Sequence, residues 1–168
     1  MEGEIVNRVA KSPLLTLDLE EFYPKGQRFG IDLSQWLEEG LILRDQPFRD
    51  TLKSHDWESY REGYVYLHCS TDAIVPAWAY MLIGSHLKGI AREVVVGSQE
   101  LLETLLFRKR MKTLDLEAYR GRPVIIKGCS NLPVPSSAYV WALQRVQEVA
   151  RSVMYGEACS AVPLFKKK

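Results

Sequence analysis

The sequence predicts an α/β fold: a mostly parallel or mixed sheet with flanking helices, built on a degenerate internal duplication over about 31–91 and 94–154. Three observations carry this. Short apolar runs of strand length alternate with segments of helical periodicity, and parallel neighbours need such crossovers. The stretch FRDTLKSHDWESYR (48–61) returns as FRKRMKTLDLEAYR (107–120), with seven of fourteen positions identical at an offset of 59. A cysteine phrase, HCSTDAIVP (68–76), returns as GCSNLPVP (128–135) and, shortened, as ACSAVP (158–163).

The elements follow in order. LLTLDLEEFYP (14–24) and GQRFGIDL (26–33) are two extended segments around the turn Pro24-Lys25-Gly26, expected to form an antiparallel edge. IDLSQ (31–35) resembles VVGSQ (95–99) as a strand end running into a helix cap, and Trp36 and Leu37 give the core face of a short helix. Asp56, Glu58, Tyr60 and Arg61 recur as Asp115, Glu117, Tyr119 and Arg120 just before a strand, which reads as a cap and turn with surface ion pairs. Tyr64–His68 and Val124–Lys127 are buried strands that stop at the Cys-Ser phrase. AWAYMLI (77–83), apolar all round, predicts a buried central helix.

Val94–Val96 is a strand, and Ser98 caps a helix in which Leu101, Leu102, Leu105 and Leu106 recur. Ala138, Ala142, Val146, Val149 and Val153 mark one face of a further helix capped by Ser136 or Ser137. SVMYGEA (152–158) is extended. The expected organisation is one domain, with an N-terminal extended segment 1–30 and a C-terminal return 155–168.

Bulk properties narrow the partners. A formal charge of +1 gives no global field toward nucleic acid or anionic lipid, and the lysines at the C-terminus read as a solubilising tail. The longest apolar run, Ala73–Ile83, is too short to cross a bilayer, which takes about twenty residues, and MEGEIV lacks a basic leader. The expected location is the cytoplasm, with thiols reduced and no disulfide framework. No glycine-rich phosphate loop occurs, so no nucleotide cofactor is expected. Oligomeric state is not legible.

Ligands of open α/β sheets gather beyond the carboxyl ends of the strands, where Cys69 and Cys129 fall. Cys159 carries the same neighbours. Three thiolates predict a metal site, zinc or an iron–sulfur cluster, held by Cys69, Cys129 and Cys159 with Asp72 or Glu157 as fourth ligand. His68 is disfavoured because strand alternation turns it away from Cys69. One alternative is a metal-free thiol enzyme or redox protein, with Cys69 as nucleophile, Ser70 and loop amides as an anion cradle, and His86 or His55 as base. Another is a non-catalytic interaction module whose cysteines are buried and structural.

The stretches DLEEFYP, GLIL, HDWESY, CSTDAIVPAWAYM, IKGCS, VPSSAYV and MYGEACSAVPL together resemble a bacterial protein family known only as a domain of unknown function, across essentially the whole chain. That resemblance implies a soluble bacterial protein of this length, and it supplies no activity, substrate or catalytic residue to carry over.

Overall fold

A computed structural model describes residues 14–128, 131–157 and 160–168. In chain order the strands are β1 (Leu15–Asp18), β2 (Arg28–Asp32), β3 (Tyr64–His68), β4 (Glu93–Val96), β5 (Pro123–Lys127), β6 (Ser152–Tyr155) and β7 (Val162–Lys166). The α-helices are α1 (Asp45–Ser54), α2 (Ala77–Leu87), α3 (Gln99–Lys112) and α4 (Ser136–Val146). The fold is mixed α/β with two mostly parallel sheets. Two compact units divide the chain: a middle unit, residues 25–103, and a flanking unit, residues 14–24 with 104–168.

In the middle unit β2, β3 and β4 lie in that order, all parallel, with Ile31 opposite Leu67 and Val65 opposite Val94. Alternation along β3 sends Val65 and Leu67 to one face. There they meet Ile31 and Leu33, Phe48 and Leu52 from α1, and the i, i+4 stripe Ala79, Ile83 and Leu87 from α2. The flanking unit repeats this chemistry. Its sheet runs β1-β5-β6-β7, parallel except for β7, with Leu17 opposite Ile126 and Val124 opposite Val153. Val124 and Ile126 pack with Leu17, Leu19, Phe107, Met111, Ala138, Ala142 and Val146.

Backbone hydrogen bonds recur at the same offset of 59. Arg92 N–H donates to Gly63 O as Arg151 N–H does to Arg122 O, and Gly97 N–H to Leu67 O as Gly156 N–H does to Ile126 O. Glu62 (φ 59°) and Gly121 (φ 68°) both sit in the left-handed region, at the turn leading into β3 and β5.

Several expectations are corrected. β1 and β2 do not pair with each other: Leu17 and Leu19 belong to one core and Ile31 and Leu33 to the other, so each strand joins a different sheet in parallel. α2 is not buried all round: Ala79, Ile83 and Leu87 are fully buried, Trp78, Tyr80 and Leu82 only partly, and Met81 is 73% exposed. α4 ends at Val146, and Val153 is buried from β6 instead. The residue preceding α4 is Pro135, which offers no side-chain cap. The C-terminal return holds strand β7, which opens at Val162-Pro163, the end of the third cysteine phrase.

No helix among the described residues is long and apolar enough to cross a membrane.

Candidate functional site

At the carboxyl end of the middle unit's sheet, Asp32 ends β2 and caps the 3-10 turn Leu33–Trp36 by accepting from Ser34 N–H at 3.0 Å. The same Oδ1 accepts from Ser70 N–H at 3.0 Å, in the loop that follows β3. The Ser34 and Ser70 hydroxyls lie 3.1 Å apart. Burial opposes the Asp32 charge, but hydrogen bonds from both serines outweigh it and hold the carboxyl well below the usual carboxylate range. Asp32 is thus a charged latch tying the two strand ends.

Cys69 follows β3 directly. Its thiol is free, half-buried and 3.3 Å from the Thr71 hydroxyl, which donates to Gly40 O. Tyr80 is raised above its ordinary value, by burial first and then by its proximity to Cys69. His68 turns to the other side, as alternation requires, and stacks on Tyr66 at 5.5 Å.

The thiol-enzyme assignment of His55 or His86 as base is corrected. His55 shares a hydrogen bond of 2.9 Å with the Tyr60 hydroxyl, and His86 stacks on Trp57 at 5.0 Å. Tyr60 and Trp57 belong to the 3-10 turn that precedes β3, whereas Cys69 follows it. A strand of five residues separates the two ends by roughly 15 Å. Neither imidazole reaches the thiol.

Of the expected metal ligands, Asp72 is exposed and borders an open depression of about 610 Å³ with Ile42, Ile74 and Trp78, and Glu157 is exposed beyond β6. Cys129 and Cys159 lie outside the described residues. Among the described residues no group of three His, Cys, Asp or Glu side chains is arranged to hold a metal ion.

The flanking unit ends its sheet with a variant of the latch. Asp18 accepts from Glu20 N–H at 3.0 Å, and Glu20, standing where the middle unit has Ser34, accepts from Asn131 and Leu132 N–H at 3.2 and 3.3 Å. Lys127 lies 3.5 Å from the Asp18 carboxylate.

A second feature was not anticipated from the sequence. The middle unit carries eight Lys and Arg against twelve Asp and Glu, net −4, whereas residues 14–24 with 104–168 carry twelve against seven, net +5. Four basic positions are shared at an offset of 59, and three of their acidic partners are not. In the middle unit Arg49 pairs with Asp45 at 2.6 Å, Lys53 with Asp50 at 2.9 Å, Arg92 with Glu62 at 2.8 Å, and Arg61 with Glu58. Fifty-nine residues on, Arg108, Lys112, Arg151 and Arg120 keep the cations, but Thr104, Lys109 and Gly121 replace three of the acids. Only Arg120 retains its partner, Glu117.

Three adjoining depressions run across these cations. One, of about 320 Å³, is lined by Arg108, Lys112, Trp141, Arg145 and Glu148 among others. A second, of about 340 Å³, shares Glu148 and adds Arg120, Gly121, Arg151 and Lys167. The third, of about 420 Å³, shares Gly121 and Arg151 and adds Arg122, Phe165 and Lys166. In the first, the Arg108 guanidinium lies 5.9 Å from the Trp141 ring centroid. Arg145 donates to the carbonyls of Lys112 and Leu114 at the end of α3, where a cation complements the helix dipole. Its buried Nε has no hydrogen-bond partner among the described residues. The sequence signal was the change from FRDTLK to FRKRMK between the two similar stretches, which a charge count of each exposes.

Searches of the curated proteins and of the solved structures found no match. A family profile described as Protein of unknown function (DUF2480) matches residues 3–167, so the chain belongs to that family.

Proposed function

We propose that this protein is a binding module for an anionic partner, that its two units are copies of one plan, and that the flanking unit carries the contact face. One observation carries the reading: three cations neutralised in the middle unit recur in the flanking unit where Thr104, Lys109 and Gly121 stand in place of the acids. An exposed ion pair contributes little to stability, so losing its acid costs the fold little while adding field at the surface. The absence of a side chain at Gly121 also leaves the second depression open: a Cβ there would meet nothing within 4 Å. The test transplants the middle unit's acids. Thr104→Asp, Lys109→Asp and Gly121→Glu together should elute from immobilised heparin at clearly lower salt than the wild type. The middle unit tolerates glutamate at the same left-handed position, Glu62, so the variant should fold. Equal elution of the two proteins would refute the reading.

A second reading concerns the thiols. β5 and β6 are parallel neighbours, and the chain beyond them carries Cys129 and Cys159, with Glu157 between β6 and Cys159. Zinc or an iron–sulfur cluster bound there would appear as stoichiometric metal in anaerobically purified protein and vanish in Cys129→Ala.

A further inference from the structure

Resting on the reading of the flanking unit as an anion-binding face, we infer that its partner is a single-stranded nucleic acid, with Trp141 and Arg108 as the shelf for one base. Sequence-tolerant binding of single strands combines a cationic groove along the backbone with aromatic faces on which bases stack. The flanking unit has both. Its cations border three adjoining depressions, so they would meet phosphates along a path and not at one point.

Two aromatic rings lie on that path, Trp141 in the first depression and Phe165 in the third. The counterpart of Trp141 in the middle unit is Leu82, so the plan does not need an indole at this position. Arg145 stands where the middle unit has His86, and its buried Nε lacks a partner among the described residues. Arg145 adds a third cation to the first depression, beside Arg108 and Lys112. Concavity argues against a lipid surface: a flat bilayer meets protruding side chains, while these cations and the indole line hollows.

The experiment measures anisotropy of a labelled, unstructured oligonucleotide of about twenty residues against full-length wild type, Trp141→Leu and the triple acid graft, over a salt series. The wild type should bind, with affinity falling as salt rises. Trp141→Leu, which installs the middle unit's own residue, should weaken binding about tenfold with an unchanged salt slope, because stacking releases no counterions. The graft should abolish binding. Two parallel probes separate the failures: heparin, and vesicles of phosphatidylcholine with one-third phosphatidylserine. If heparin or vesicles bind and the graft removes it, while the oligonucleotide does not bind or ignores Trp141→Leu, the nucleic-acid inference falls and the anion face stands. If no polyanion binds at low salt, both fall.

Discussion

The middle and flanking units each have a core of their own, filled at matching sequence positions, and they differ in their surface. Phe48, Leu52, Val65, Leu67, Ala79, Ile83 and Leu87 correspond at 59 residues' remove to Phe107, Met111, Val124, Ile126, Ala138, Ala142 and Val146, and every one of the fourteen is buried. Their charges, −4 and +5, are opposite. Packing at interior density punishes a change of even one methylene, whereas exposed positions change at little cost. The backbone plan is therefore written in the apolar positions, and whatever distinguishes the units in function is written in the rest.

The sharpest way to break that comparison is to attack one core position in both units. Phe48 and Phe107 are 1% and 0% exposed, and each starts the repeated fourteen-residue stretch. Replacing either by alanine should cost about 3–5 kcal/mol, through lost transfer energy and the cavity left behind. Urea denaturation of Phe48→Ala and Phe107→Ala should show two losses of similar size. If one variant lost less than a third of what the other did, the two positions would not be equivalent.

A smaller effect separates the latches. Asp32 gathers hydrogen bonds from Ser34 and Ser70, while its counterpart Asp18 accepts from Glu20 and faces Lys127. Asp32→Asn should cost about 1–2 kcal/mol near neutral pH, as a lost cap and charged acceptor do. The sign with pH follows from the depressed folded-state value. The unfolded chain binds the proton first, so the stabilisation is fully present above the unfolded pKa of about 4 and is lost as pH falls from there through the lower folded value. The gap between wild type and Asp32→Asn, followed by thermal melts, should be flat above about pH 5 and should narrow below pH 4. A gap constant down to pH 2 would mean that the latch acts through shape and not through charge.

What was legible in the sequence divides along the same line. Tyr64–His68 could be read residue for residue because a β-branched and aromatic run ends at a polar phrase, and the turns at Asp56–Arg61 and Asp115–Arg120 because their ion pairs are local. The partners of β1 and β2 could not, since Leu17 finds Ile126 and Ile31 finds Leu67 only across long stretches of chain. The same distance hid the Asp32 latch: Ser70 is 38 residues away. The reading of Cys69 at a strand end needed only local pattern, but the bases assigned to it failed because nothing in the sequence says which end of β3 a histidine faces. The basic face was hidden by addition: +5 and −4 nearly cancel in a chain whose total is +1, and they separate only once the unit boundaries are known.

The finest test uses an ion pair that both units keep. Glu58 with Arg61 and Glu117 with Arg120 are the same i, i+3 pair, with all four side chains more than half exposed. Solvent screens such pairs, so Glu58→Gln and Glu117→Gln should each leave the melting temperature unchanged within scatter. Their effects on binding should differ. Glu117→Gln releases Arg120, which lines the second depression, and removes a negative charge from the cationic face. It should raise the salt needed for elution from heparin by a small, reproducible step. Glu58→Gln makes the same chemical change on the net-acidic middle unit and should leave elution where it was. A matched pair of substitutions, silent in stability, would then read out which unit meets the anion; equal shifts in both would mean that the column senses total charge and that the face has no special part.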